Sequence, residues 1–445
     1  MSVEREAEIP FEKIYKIPNC KIVSHNGSFL AIMVDIARWI VLKNETQLKI
    51  LDALMKGLSV GNVIEVYGDS VADVRSVLLQ IEAIGIERLK PRSIFSNTRL
   101  HLHLTNQCNM CCPHCYVRSQ TAYANELSTD EVKNLCSRFR ETGGTDVSLT
   151  GGEPTLRPDF FEIVEFVSGL GMKVSVYTNG LNWTKEKIRR LASNSLEGVQ
   201  ISIDGYDEQT NSTVRGKGGF ARALETVDLM INNRIHVKIA ITPPFDILVG
   251  NCQKYVDFAR GLLNKYGSDL CEINFSHSLM PGREMSADFI NGIREKYRSS
   301  IDEIVRSLWP SAKEDSFVAN ISDCIYDSCG YGGLNVLANG DFYFCDRLSD
   351  VVCNGNVREL PFSEIRRLMT LAEEAGKIDN FRPCKDCELK YICGGGCRAE
   401  YFRQFTQLRN VEDFNPTLIA PRMCSDDDKG RLYDLMLRTT EMFYR

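Results

Sequence analysis

The chain lacks the marks of three common destinations. Its start, Met1-Ser-Val-Glu-Arg-Glu-Ala-Glu, is charged where a secretion signal would be apolar, so a cytoplasmic protein is expected. Its most apolar stretch, Phe29 to Leu42, carries Asp35 and Arg38 and is too short to cross a bilayer, so no membrane partner is expected. It has no long basic run and a net charge of −6, which gives no reason to expect nucleic acid. What remains, 43% apolar and 25% charged over 445 residues, is an ordinary globular composition, long enough for two or three domains.

Cysteine is scarce before residue 100 and dense at 108–115 and 324–424, with seventeen in all. A secreted disulfide scaffold would be short and would normally carry an even number. Tight clustering in a large chain without a signal reads instead as metal ligation in a reducing compartment.

Three segments follow from the hydrophobic pattern. In residues 1–92, two β-rich runs, Cys20–Ser24 and Phe29–Leu42, precede three helical patterns. Asn44 with Gln47 caps the first of these, and Leu48, Leu51, Leu54 and Met55 form its apolar face. Strands plus three short helices predict a small winged-helix-like module, with a linker near Lys90. Residues 93–323 alternate strand and helix signals, with strands at Leu100–Thr105, Asp146–Thr150, Lys173–Thr178, Val199–Asp204, Val237–Thr242 and Glu272–Ser276. Six βα units predict a parallel α/β sheet curled into an open or closed barrel, with ligands at the carboxyl ends of its strands. Residues 324–445 are glycine-rich and irregular, and their folding is expected to depend on what the cysteines bind.

Cys108, Cys112 and Cys115 follow the first of those strands, in Thr105-Asn-Gln-Cys-Asn-Met-Cys-Cys-Pro-His-Cys-Tyr116. Thiolates at this spacing can hold three irons of a 4Fe-4S cube and leave the fourth open to a substrate or cofactor. Cys111 is then a structural spare, although spacing alone also permits a Cys108/Cys111/Cys115 register. The bland alternative is a loop of buried or zinc-binding cysteines, but zinc wants a fourth ligand and His114 is wedged between two of the three. The second strand ends in Thr150-Gly-Gly-Glu-Pro154, where Gly151 and Gly152 let backbone approach a ligand and Glu153 can hold an amino group. Far downstream, Cys329 is followed by ten residues, Gly340, four residues and Cys345, then by Cys384-x2-Cys387-x5-Cys393-x3-Cys397 and Cys424.

The first cysteine loop and the Gly-Gly-Glu turn, in this order, resemble the radical S-adenosylmethionine (SAM) superfamily, and the seven later cysteines resemble its SPASM extension. The resemblance implies a partial (β/α)6 TIM-like barrel with a winged-helix-like domain before it and a cysteine-rich SPASM domain after it. It implies three 4Fe-4S clusters, one binding SAM and two auxiliary, and a flavodoxin- or ferredoxin-type reductant. Ser202 and Arg215 would hold the SAM carboxylate with help from Asn179, since a guanidinium pairs bidentately with a carboxylate. One auxiliary cluster would take Cys329, Cys345 and Cys397, and the other Cys384, Cys387, Cys393 and Cys424. Cys324 is the expected eighth ligand and Cys353 a second candidate; otherwise that site stays open to a substrate thiolate.

The N-terminal segment is similar to the recognition element fused to peptide-modifying members of the superfamily. That likeness implies a ribosomally made precursor peptide whose leader adds as a strand, with an edge near Phe29–Val34 expected to receive it. The resemblance therefore implies a peptide maturase that abstracts a hydrogen through a 5′-deoxyadenosyl radical and forms a cysteine thioether of the sactipeptide or ranthipeptide kind. A carbon–carbon cross-link of the streptide or pyrroloquinoline quinone type is the alternative, and formylglycine formation a lesser one. A non-catalytic iron–sulfur electron carrier or peptide-binding protein is the reading outside enzymology.

Overall fold

The computed structural model describes residues 9–18, 20–86, 89–94, 97–311, 317–318, 324–348, 353–397 and 424–443. The charged start at residues 1–8 and the stretch 398–423 between Cys397 and Cys424 lie outside the described residues.

The N-terminal module is a three-stranded antiparallel sheet, β1 (Cys20–His25), β2 (Ser28–Met33) and β3 (Arg38–Leu42), followed by helices Glu45–Met55, Val60–Val66 and Val71–Ile84. Asn26 and Gly27, both at positive φ, close the first hairpin with the backbone twist that a two-residue turn requires. The single apolar run expected over Phe29–Leu42 is broken by a 3-10 turn at Val34–Ile36, with Ala37 in the left-handed region, and becomes two strands. Because β2 pairs with β1 on one side and β3 on the other, the expected open edge at Phe29–Val34 is corrected: that segment is the centre of the sheet.

Each face of this sheet has a different partner. Ala31, Met33, Ile40 and Leu42 pack on the module's own helices, against Ile50, Leu51, Leu54, Val77 and Ile81. Met55, counted on that apolar face from sequence, is instead exposed. Leu30, Ile32 and Trp39 on the opposite face pack on Leu389, Ile392, Tyr433 and Met436 of the C-terminal segment. The Trp39 indole N–H donates to Met436 O at 3.2 Å and to Thr440 Oγ1 at 3.0 Å, and Lys21 Nζ donates to Asp386 O at 2.6 Å. The recognition-like module is thus fastened to the cysteine-bearing segment.

The connector carries β4 (Arg92–Ser93), which lies outside the main sheet, and leads on to that sheet. There β5 (Arg99–His103), β6 (Asp146–Thr150), β7 (Lys173–Thr178), β8 (Leu196–Ser202), β9 (Val237–Ile241) and β10 (Cys271–Phe275) run parallel in chain order. The helices between them start as the sequence suggests: Ser128 and Glu131 form both bonds of a capping box at helix Thr129–Glu141. The sheet does not close on itself. β11 (Cys324–Ile325) pairs with β4, and β12 (Leu334–Val336) lies parallel to β5 where a closed barrel would seat β10; β13 (Asp341–Tyr343) and β14 (Gly355–Asn356) follow antiparallel. Part of the segment expected to be irregular is therefore continuous with the parallel sheet.

Side-chain alternation divides the sheet's two faces. Leu100, Leu102, Val147, Val174 and Val199 enter the core beneath the helices. The other face is polar: paired positions Asn335, His101, Ser148 and Ser175 form a row across β12, β5, β6 and β7. Among the described residues no helix is long and apolar enough to cross a membrane.

The Trp39 contact is testable by chemical denaturation. Trp39→Phe, which keeps the ring and loses the N–H donor, should cost about 1 kcal/mol. Trp39→Ala should cost about 3–5 kcal/mol by opening a cavity between module and C-terminal helix. An alanine variant as stable as the parent would show that this contact does not hold the two segments together.

Candidate functional site

The turn after β6 and the loop after β5 are laced together by backbone. Gly152 N donates to Thr105 O at 2.7 Å and Glu153 N to Gln107 O at 2.8 Å. A Cβ on Gly151 would stand 2.3 Å from Thr105 O, and one on Gly152 would stand 2.2 Å from Gln107 O, so no other residue fits either position without moving the loop. The close approach that the glycines allow is therefore to the cysteine loop itself. The loop is held from its other side as well: Cys108 N bonds Gln120 O, Arg283 N bonds Cys115 O and Glu284 N bonds Pro113 O.

Cys108, Cys112 and Cys115 sit half-buried in this frame, and Cys111 is exposed. Burial first, then the neighbouring charges of Glu153, Cys112 and Cys115, push the Cys108 thiol up to about 11. Burial also raises Cys112, with Arg215 opposing. Three thiols gathered where their thiolates repel one another form a donor set that a cationic iron–sulfur core would stabilise. A cube that takes a different iron at each thiolate does not need its ligands to converge, and among the described residues no three His, Cys, Asp or Glu side chains close on a single-ion site.

The other predicted cofactor contacts lie at neighbouring strand ends. Glu153 is fully buried, and its carboxylate accepts from Thr155 N, Thr155 Oγ1, Thr178 Oγ1 and Asn179 N. Expected to hold a ligand's amino group, it is seen tying β6 to β7; burial raises it from the usual carboxylate range. Asn179 reaches the cysteine loop, donating from Nδ2 to Asn109 Oδ1 at 2.7 Å. Ser202, at the end of β8, is half-buried and makes no hydrogen bond with its hydroxyl among the described residues. Arg215 ends helix Glu208–Arg215 and is not a solvated surface charge: its Nε donates to buried Asp204 at 2.7 Å, and its Nη1 lies 4.0 Å from Met110 Sδ on the loop.

The C-terminal cysteines form two neighbourhoods. Cys329, Cys345, Cys393 and Cys397 line a cavity of about 540 Å3 that His101 and Tyr331 also border. Burial, Asp346, Cys329 and Cys397 together push the Cys345 thiol far up. Cys387 lies near Cys393, follows a tight turn in which its N–H bonds Cys384 O, and accepts at sulfur from Leu389 N at 3.4 Å. Cys424 and Cys387 both act on Lys429 and Tyr433, which places them together. Cys324 is on β11, outside the cavity's lining, and exposed Cys353 points its thiol at Gly355 O.

One side chain spans the two cysteine sets. Tyr116, just past the first loop, is raised by burial and feels Asp346, Cys115, Tyr177 and Cys345. His101 and His103 join it on the polar face with rings 5.3 Å apart, and burial followed by the neighbouring His101 drives His103 down to about 3, so it is neutral at physiological pH. Period-two alternation along β5 carried the signal for these residues; the polar row beyond them depends on strand register, which no single strand encodes.

Comparisons with known proteins give the family and the fold. The profile of the radical SAM superfamily matches residues 102–246. Mycofactocin maturase MftC of Mycobacterium tuberculosis (strain ATCC 25618 / H37Rv) is 30% identical over 316 residues, 68% of this chain and 78% of that protein. The sporulation killing factor maturation protein SkfB of Bacillus subtilis (strain 168) is 39% identical over 142 residues, 32% of this chain and 34% of that protein. The fold is also that of anSMEcpe, solved with bound AdoMet and the Cp18Cys peptide: the TM-score is 0.56 and identity 18%, covering 80% of this chain and 99% of that one. The chain belongs to the radical SAM superfamily. It is an enzyme, and its family implies a 4Fe-4S cluster and S-adenosylmethionine.

The lacing predicts the effect of a single methyl group. Gly152→Ala should displace the loop at a cost of about 1–3 kcal/mol and lower the iron bound per chain. Gly169→Ala, where a Cβ meets nothing within 4 Å, should keep its iron. Equal iron in the two purified variants would remove this role from the glycine pair.

Proposed function

We propose that the enzyme matures a ribosomally made precursor peptide, joining a cysteine sulfur to a carbon of another residue. The observation that carries the peptide reading is the N-terminal sheet, which is bound by one face to the cysteine-bearing segment and whose β1 edge meets no strand among the described residues. Both curated relatives described above are named for maturation, which supports the same reading.

The edge can be chosen from hydrogen bonding. Val41 of β3 points its N–H and C=O away from β2, and both are taken by the side-chain amide of Gln80, at 2.8 and 2.9 Å. Lys43 N, two residues on, bonds Gln47 Oε1. On β1, the hairpin register turns the backbone groups of Cys20, Ile22 and Ser24 outward, where they meet no strand among the described residues. Ile22 and Met55 are exposed apolar side chains on this part of the module. A leader segment would therefore add alongside β1 as an extended strand.

Cys108, Cys112 and Cys115 would hold a 4Fe-4S cluster that, with SAM bound, would supply hydrogen-atom abstraction. The chain's own residues set what surrounds it. Ser202 and the Arg215 guanidinium offer a hydroxyl and N–H donors to a carboxylate, with Asn179 holding the loop between them. Cys329, Cys345 and Cys397 hold one auxiliary cluster, and Cys384, Cys387, Cys393 and Cys424 the other. Cys393 also borders the first cavity, so the two sites share a wall. A first auxiliary site held by Cys329, Cys345 and Cys397 alone would have a position for a substrate thiolate, which would suit sulfur coupling over a carbon–carbon link. The reductant is a flavodoxin or ferredoxin.

Mass spectrometry of the precursor peptide after co-expression tests the bond. The expected product has lost two hydrogens and one alkylatable thiol; the same mass loss with every thiol free would replace the thioether by a carbon–carbon link. The edge is tested by leader binding. Ile22→Pro removes an outward N–H without touching the β1–β2 bonds and should weaken binding about tenfold or more, while Gln80→Ala should leave it unchanged. Ile22→Pro without effect, together with tighter binding in Gln80→Ala, which frees the Val41 groups, would move the leader to β3.

A further inference from the structure

We propose that Asp204 is a positioning residue for cofactor binding: buried below the first cysteine loop, it grips Arg215 by Nε and so turns the rest of the guanidinium toward the ligand. The proposal rests on the reading above, in which Arg215 faces the SAM carboxylate.

Asp204 follows β8 and has no exposed surface. Its Oδ1 accepts from Thr242 N at 2.9 Å, just beyond β9. Its Oδ2 accepts from Arg215 Nε at 2.7 Å and lies 3.6 Å from His114 Nε2, on the cysteine loop. The residue's own N–H donates to Asn211 Oδ1 at 3.0 Å, and its C=O accepts from Tyr255 OH at 3.0 Å. Next in sequence, Gly205 leaves no space for a side chain, since a Cβ there would stand 2.1 Å from Asn211 N. The chain just beyond β9, helix Glu208–Arg215 and the cysteine loop therefore meet at one carboxylate, and a second helix reaches the same residue's backbone through Tyr255.

A carboxylate in this position is costly unless it is paired, and Arg215 pairs with it through a single nitrogen. A guanidinium has five N–H donors, and only Nε is committed to Asp204. The Nη groups make no bond to oxygen among the described residues; Nη1 points past Met110 Sδ, beside Cys108 and Cys112. Without Asp204, the strongest anions within reach of Arg215 would be the cysteine thiolates. Held at Nε, the fork is kept off them and remains free to receive a carboxylate edge-on. His114, 3.6 Å from the same carboxylate, places the loop that carries Cys112 and Cys115 beside this arrangement.

The test is a double-mutant cycle on the reconstituted full chain, with SAM affinity read from the EPR spectrum of the reduced protein. D204N and R215A should each keep their iron and their SAM-free spectrum, and each should weaken SAM binding by about 10- to 100-fold. The double variant should be no weaker than R215A alone, because Asp204 acts through Arg215, and D204E should recover part of the loss. Losses that multiply in the double variant, or a D204N protein that binds SAM like the parent, would overturn the proposal. So would loss of iron from both D204N and D204E, which would make Asp204 a structural residue only. A parent protein whose reduced spectrum does not respond to SAM would sink the underlying reading of the site itself.

Discussion

The structure depends on a contact made by backbone alone: the Gly151–Gly152 turn pressed against the loop of Cys108, Cys112 and Cys115. Two hydrogen bonds join them, and two absent side chains make the approach possible. Cys108, Cys112 and Cys115 are half-buried side by side on that loop. Pinned to the end of β6, to Gln120 and to the 282–284 segment, they are held in a fixed frame before any ligand arrives. Glu153, Thr178 and Asn179 extend that frame to β7, and Asp204 extends it to β8 and β9.

A second constraint joins the ends of the chain. The N-terminal sheet has two apolar faces, and its own helices cover only one; the other is covered by the C-terminal helix and the Cys387–Cys393 turn. A module that could have hung from a linker is instead part of the wall that carries the later cysteines. Lys21, on β1, reaches the carbonyl of Asp386 directly. β1 therefore runs beside the cysteine-bearing segment.

Much of the site could be read from local pattern. The three cysteines, the glycine pair and the seven later cysteines are spacing signals, and the capping box at Ser128 and the asparagine cap at Asn44 are local hydrogen-bond motifs that form as expected. Errors arose where an answer depended on a distant partner. Phe29–Leu42 reads as one apolar run because both sheet faces are buried, one by residues nearly four hundred positions away, so the run concealed a turn and misplaced the edge. The bonds from Thr155, Thr178 and Asn179 to Glu153 likewise depend on segments brought together by the fold.

By itself the sequence determined the α/β alternation, the six parallel strands and the cysteine spacings, because periodicity, caps and short ligand spacings act over a few residues. Only the tertiary structure decided that the sheet stays open and takes β12 beside β5, that Cys329, Cys345, Cys393 and Cys397 share one cavity, and that Asp204 and Arg215 meet beneath the loop. Those are contacts between segments far apart in the chain. Register, burial and the pairing of buried charges are settled by what packs against what, and no local stretch of residues carries that information.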